Sequence, residues 1–76
     1  MENDIGKIIS FHRKKTGLSQ KEIADIAGIG KTLVFDIEKG KLTVGYDKIL
    51  KLFKILNINI IFSSQLMDQY QKEKYN

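Results

Sequence analysis

The fold can be predicted from residues 17–40, GLSQKEIADIAGIGKTLVFDIEKG. Ser19 is followed three residues later by Glu22, which is the pattern of a capping box at the start of a helix. Gly28 interrupts the apolar pattern, and we expect it to take a left-handed backbone conformation that a side chain would resist. A second apolar segment follows and ends at Gly40. The stretch therefore predicts two short helices joined by a tight turn.

Two short helices joined in this way form a helix-turn-helix, a unit whose second helix fits the major groove of DNA. We place the first of these helices up to about residue 27 and the second over about residues 30–39. The residues predicted to face the core are Ile23, Ala24 and Ala27 on the first helix and Val34 and Ile37 on the second.

The sequence on either side of this unit predicts two supporting helices. One covers about residues 3–16 and ends in a basic run before Gly17, which is a helix C-terminus signature. The other covers about residues 46–56 and is closed by Asn57. Their predicted core positions are Ile5, Ile8, Ile9 and His12 on the first and Ile49, Leu50, Phe53 and Leu56 on the second.

Residues 58–62, INIIF, are rich in β-branched and aromatic side chains and predict a strand. An isolated strand is not stable in water, so we expect this one to pair with the same strand of a second copy. The residues after it are polar and predict a frayed tail or a short helix. We therefore divide the chain into a helix-turn-helix domain over 1–57, a dimerisation strand over 58–63 and a C-terminal tail over 64–76.

Length and composition restrict the class of protein. The chain has 76 residues, enough for one small domain of a size that often gains stability by dimerising. It contains no cysteine, so it has no disulfide or thiolate metal site, and no metal-ligand spacing is present. No apolar run approaches the roughly 18 residues of a membrane span, and the N-terminus lacks a secretory signal. We expect a cytoplasmic protein without cofactor or metal.

The charge of the chain is positive and unevenly placed. Its net charge is +4, and that excess lies within residues 1–57, while residues 58–76 are neutral. Such a balance is typical of a nucleic-acid binder, although a lysine-rich surface alone would also produce it. The single histidine, His12, has no serine or cysteine pairing pattern, so we expect no enzyme.

The segment from Gly17-Leu18-Ser19-Gln20 through Glu38-Lys39-Gly40-Lys41 resembles the Xre/Cro-type helix-turn-helix of phage repressors. Over about residues 5–62, four helices followed by a hydrophobic strand resemble the HipB-type antitoxins of toxin–antitoxin operons. This resemblance implies a mostly α fold, namely a phage-repressor-like domain of four to five helices with a short C-terminal β-strand that pairs across a homodimer. It also implies a palindromic operator as the DNA partner and, in many members, a toxin such as a HipA-like kinase.

The resemblance further implies roles for individual residues. It assigns base contacts to Lys31, Thr32, Phe35 and Asp36, and phosphate contacts to Ser19, Gln20, Gly30, Lys39, Lys41 and Thr43. Lysine and threonine can donate to base edges, and a phenylalanine off the core stripe suits thymine methyl groups, unless it is a partly covered surface aromatic. Two residues depart from the family pattern. Asp36 brings a carboxylate near phosphates, and Gly30 stands where the family often has serine or threonine.

Two further sets of residues follow from the same resemblance. Arg13 and Glu38 occupy the positions of a buried ion pair in related repressors, the alternative being two exposed charges. The residues of the dimerisation strand are Ile58, Ile60, Ile61 and Phe62. Three functions stay open at this point. They are an autoregulating antitoxin, a protein-binding module that sequesters a toxin with DNA binding secondary, and a phage-type repressor unrelated to any toxin.

Overall fold

The computed structural model describes residues 5–41 and 43–74, and within those ranges the chain forms five helices and no strand. The helices are α1 (Ile5–Lys15), α2 (Gln20–Ala27), α3 (Lys31–Glu38), α4 (Tyr46–Ile55) and α5 (Met67–Lys74). The prediction of a mostly α chain is confirmed. The predicted helix start at residue 3 and the end of the predicted tail, residues 75–76, lie outside the described residues.

The connection between α2 and α3 has the local structure that the sequence predicts. The Ser19 hydroxyl accepts a hydrogen bond from the backbone N–H of Glu22 at 3.0 Å, and the Glu22 carboxylate accepts one from the backbone N–H of Ser19 at 2.8 Å. This capping box satisfies two N–H groups that the first turn of a helix leaves unpaired. At the other end of α2, Gly28 has φ of 70°, so the chain turns sharply toward α3.

The core lies between the helix-turn-helix unit and its two supports. α2 packs against α3 and α4, while α1 packs against α3. Ten apolar side chains are buried there: Ile9, Ile23, Ala24, Ala27, Val34, Ile37, Ile49, Leu52, Phe53 and Leu56. The predicted core positions of α2 and α3 are all among them. Burial of one face of each short helix fixes which face of α3 points to solvent.

Three core positions of the supporting helices were predicted wrongly: Leu50, Ile8 and His12, of which His12 is only half-buried. Leu52 is fully buried, whereas Leu50 is only half-buried, because the core face of α4 follows the spacing 49, 52, 53, 56. Ile8 is 39% exposed, and the buried residues of α1 are Gly6, Ile9 and Arg13. Helical periodicity cannot distinguish an apolar residue in the core stripe from one beside it. The rotation of the helix about its axis, which is set by the helices packed against it, decides which of the two is buried.

Gly6 lets α1 approach the end of α3 closely. A Cβ atom added there would lie 2.8 Å from the carbonyl oxygen of Glu38 and still closer to that of Ile37. Both obstacles are backbone atoms of α3, which cannot move aside as the tip of a flexible side chain could. The absence of a side chain at residue 6 is therefore a condition of the α1–α3 contact.

The strand predicted at residues 58–62 is not formed within this chain. Ile58 is half-buried and its N–H donates to the carbonyl of Phe53 at 2.8 Å, but residues 58–64 have no regular secondary structure. A strand requires a hydrogen-bonded neighbour, and the described residues of a single chain supply none. Ile61 and Phe62 are 86% and 70% exposed, and α5 beyond them has no buried residue.

None of the described helices is long and apolar enough to cross a membrane.

We predict that Gly6→Ala lowers the free energy of unfolding by about 1–3 kcal/mol, because the added methyl group overpacks the α1–α3 contact. The loss should appear even though alanine has the higher helix propensity. Gly30→Ala is the matched control, since a Cβ atom at residue 30 meets nothing within 4 Å. Urea denaturation measures both variants, and a Gly6→Ala protein as stable as the parent would contradict the prediction.

Candidate nucleic-acid interface

The solvent-facing side of α3 carries three of the predicted base-contact residues close together. Burial of Val34 and Ile37 turns Lys31, Thr32 and Phe35 outward. These three side chains line one surface concavity together with Gln20 of α2. Lys31 and Thr32 begin α3, so the first turn of the helix projects at this surface. We call this concavity the α3 face.

Asp36 does not line the α3 face. It is half-buried on the neighbouring side of α3. Its backbone carbonyl accepts hydrogen bonds from the N–H groups of Lys39 and Lys41, at 3.2 and 2.9 Å, where the helix ends. The structure therefore brings three of the four predicted base-contact residues together and leaves the carboxylate outside them.

Phe35 is 45% exposed, in agreement with its predicted place off the core stripe. The Lys39 ammonium lies 5.5 Å from the centroid of its ring. A cation over an aromatic face at an exposed site contributes about 0.5–1 kcal/mol. This contact favours one orientation of the ring and holds a positive charge beside the α3 face.

A buried hydrogen-bond network holds α3 against the two preceding helices. The Arg13 guanidinium donates to both carboxylate oxygens of Glu38, from Nε to Oε2 at 2.6 Å and from Nη2 to Oε1 at 3.0 Å. Its Nη1 donates to the carbonyl of Leu18 at 2.9 Å. Gln20 Nε2 donates to Oε1 of Glu38 at 3.1 Å. The network thus joins α1, the α1–α2 loop, α2 and the end of α3.

Both charged members of this network are largely removed from water. The side chains of Arg13 and Glu38 are 10% and 7% exposed. Burial by itself would raise the pKa of Glu38, but hydrogen bonds from Arg13 and Gln20 outweigh it and hold that pKa below its ordinary value. The hydrogen bond to Glu38 raises the pKa of Arg13. The pair is therefore charged throughout the neutral pH range.

The predicted phosphate-contact residues other than Gln20 lie just before α2, just before α3 or just after α3. Ser19 and Gly30 are the N-cap residues of α2 and α3, and both are exposed. Lys39, Lys41 and Thr43 are exposed where the chain leaves α3. Backbone N–H groups at helix starts and lysine side chains are the usual donors to phosphate oxygens.

Sequence reasoning missed two residues of α1 that lie beside this surface. Ser10 and Lys14 line a second concavity together with Gln20, Phe35 and Lys39. In the sequence, Lys14 belongs to a basic run whose position is accounted for by the C-terminus of a helix. No feature of the sequence therefore distinguishes Lys14 from the other basic residues of that run. The described residues contain no group of three or more histidine, cysteine or acidic side chains that could hold a metal ion.

Comparison with known proteins identifies relatives of the same motif. Residues 11–62 match the Helix-turn-helix family. The chain is also 37% identical over 57 residues to the uncharacterized HTH-type transcriptional regulator y4mF of Sinorhizobium fredii (strain NBRC 101917 / NGR234), and the alignment covers 75% of each chain. The family match includes all of α2, α3 and α4, so it contains every residue of the α3 face.

We predict that Glu38→Gln lowers the free energy of unfolding at neutral pH by about 3 kcal/mol, because it leaves the buried Arg13 charge without its partner. The pKa of Glu38 is lower in the folded chain, so the carboxylate stabilises the fold at pH values above the ordinary pKa of an unfolded glutamate. That contribution is lost as the pH falls through the folded pKa. The stability difference between parent and variant should therefore shrink in acid.

Urea denaturation between pH 7 and pH 3 measures this difference. Asp25→Asn is the matched control, since it removes a carboxylate from an ion pair with Lys21 whose side chains are 66% and 72% exposed. An exposed pair contributes less than about 1 kcal/mol. Equal effects of the two substitutions at neutral pH would contradict the prediction.

Proposed function

This chain belongs to the helix-turn-helix family of DNA-binding transcription regulators, and we propose that it is a repressor that binds a palindromic operator as a homodimer. The observation that carries the proposal is the α3 face. Its side chains project from the first turn of α3, beside the start of α2, on a scaffold fixed by the Arg13–Glu38–Gln20 network. A helix presented in this way fits the major groove.

In the proposed complex, the residues of α3 read base edges. The Lys31 ammonium donates to guanine O6 and N7, and the Thr32 hydroxyl can donate or accept. The ring of Phe35 contacts a thymine methyl group. Asp36, at the side of the α3 face, accepts from cytosine N4 or disfavours other bases by repulsion. Together these side chains would select a short half-site.

Phosphate contacts would set the position of α3 in the groove. The side-chain amide of Gln20 has two hydrogens, and Glu38 takes one of them, which leaves the other for a phosphate oxygen. The remaining donors are the backbone and hydroxyl of Ser19, the backbone of Gly30 and the side chains of Lys39, Lys41 and Thr43. Such contacts provide affinity and orientation but read no sequence directly.

The homodimer is proposed to form through residues 58–62. Three of these side chains, Ile60, Ile61 and Phe62, are exposed in the single chain. Next to them lies an apolar groove between α1 and α4, lined without any charged side chain by Ile5, Ile8, Tyr46, Ile49, Phe53, Ile58, Asn59, Ile60 and Phe62. Pairing two copies of the segment as antiparallel strands would cover this surface and satisfy its backbone. Two-fold symmetry then requires half-sites about 34–36 Å apart.

We extend the proposal to an autoregulating antitoxin of the HipB type in a type II toxin–antitoxin operon, acting in the cytoplasm. The observation that favours a protein partner is the C-terminal segment, where Leu66, just before α5, and Tyr70, within α5, are 70% and 57% exposed and nothing in α5 is buried. A toxin such as a HipA-like kinase would bind there. Without such a partner, the same chain would be a phage-type repressor.

We predict that Lys31→Ala combined with Thr32→Ala abolishes operator selectivity. A lost base contact is equivalent to about 1–3 kcal/mol, so the ratio of affinities for the upstream and a scrambled duplex should fall more than tenfold. The measurement is fluorescence anisotropy with a labelled duplex from directly upstream of the gene. Lys54→Ala, which removes one positive charge from α4 outside the α3 face, should keep the ratio. Unchanged selectivity of the double variant would refute base reading by α3.

We predict that Ile61→Asp combined with Phe62→Asp converts the dimer into a monomer, because it places charges in the proposed strand pair. Static light scattering should give the mass of two chains for the parent and of one chain for the variant. Ile26→Asp combined with Phe11→Asp is the matched control, since both side chains are 59% exposed elsewhere on the surface. A parent protein that is monomeric at micromolar concentration would overturn the dimer.

A further inference from the structure

The ring of Phe35 belongs to two neighbouring parts of the surface. It lines the α3 face together with Lys31 and Thr32, and it lines the second concavity together with Lys39. The side chain is 45% exposed. An aromatic side chain at such a position has more than one rotamer available unless a neighbour restricts it. The orientation in which the ring meets a ligand on the α3 face therefore depends on the contacts of its exposed part.

Lys39 is placed to restrict this ring. It follows Phe35 by four residues, and its backbone N–H donates to the carbonyl of Phe35 at 3.1 Å, so the two side chains lie one turn apart on the same side of α3. The Lys39 ammonium lies 5.5 Å from the ring centroid, within the roughly 6 Å of a cation–π contact. At an exposed site such a contact favours one ring orientation by about two- to fivefold.

We propose that Lys39 is a positioning residue that holds the Phe35 ring in the orientation that contacts a thymine methyl group. The inference rests on the proposed function and adds a determinant of base selectivity that does not itself touch a base. Lys39 can still donate to a phosphate, because the contact with the ring leaves N–H groups of the ammonium available. The two roles are separable, since a phosphate contact adds affinity for any duplex, whereas the orientation of Phe35 matters only where a thymine methyl group is present.

The test compares two forms of the labelled upstream duplex, one with thymine and one with deoxyuridine at every thymine position. Deoxyuridine lacks only the methyl group, so this exchange removes the partner of Phe35 and keeps the base pairs and the phosphates. Burial of one methyl group corresponds to about fourfold in affinity. The parent should therefore bind the thymine form more tightly by about fourfold for each methyl group contacted, and Phe35→Ala should bring this thymine/deoxyuridine ratio close to one.

Lys39→Gln should lower the thymine/deoxyuridine ratio by about twofold or more, because the ring must then be ordered during binding. Loss of a phosphate contact weakens both complexes alike and cancels in the ratio. Lys39→Arg should keep the parent ratio, since a guanidinium also stacks on an aromatic face. Lys41→Gln is the matched control, because it removes the same charge from an exposed position beyond the same end of α3 that lines neither concavity.

A ratio that falls in Lys39→Gln and is kept in Lys39→Arg and Lys41→Gln supports the positioning role. An unchanged ratio in Lys39→Gln, an equal fall in Lys41→Gln or a fall in Lys39→Arg overturns it. A parent that binds the thymine and deoxyuridine forms equally also overturns it, but the proposed function then stands if the parent prefers the upstream duplex to a scrambled one. A parent that binds the upstream and scrambled duplexes equally overturns the proposed function itself.

Discussion

The Arg13–Glu38–Gln20 network is the interaction on which the rest of the structure depends. It joins α1, α2 and α3 by directed hydrogen bonds, in addition to the apolar contact between these helices. Apolar packing is non-directional and would tolerate small rotations of an eight-residue helix. A bidentate guanidinium–carboxylate pair has a fixed geometry, so it determines where α3 ends relative to α1 and α2. Gln20 is held by the same carboxylate, which couples the proposed phosphate contact to the position of α3.

Two regions of the described surface differ in chemistry. The region around α3 and the exposed side of α1 is polar and basic, with Lys7, Lys14, Lys31 and Lys39 along it. The α1–α4 groove, which Ile58, Asn59, Ile60 and Phe62 help to line, is apolar and has no charged lining residue. No side chain lines both. The proposed DNA contacts and the proposed homodimer contacts therefore lie on separate regions, so binding of one partner would not block the other.

Sequence patterns predicted the local elements well because each has a local physical cause. The capping box of Ser19 and Glu22 and the left-handed Gly28 depend on residues within a few positions of one another. The core faces of α2 and α3 follow from helical periodicity in the same way. Ile8 and Leu50 were assigned to the core wrongly because each lies beside the apolar stripe of its helix. Which residues at the edge of such a stripe are buried depends on how the neighbouring helices pack against it.

Sequence patterns alone were enough to predict the helix-turn-helix, its place in the chain and the outward position of Lys31, Thr32 and Phe35 on α3. They were enough because caps, glycine turns and 3.6-residue periodicity are properties of short segments. The need for a residue without a side chain at position 6, the separation of Asp36 from the α3 face and the place of Lys14 near Gln20 became visible only when the helices were packed together. The Gly6 contact joins residues distant in sequence and is set by how α1 crosses α3, and no local pattern encodes that crossing.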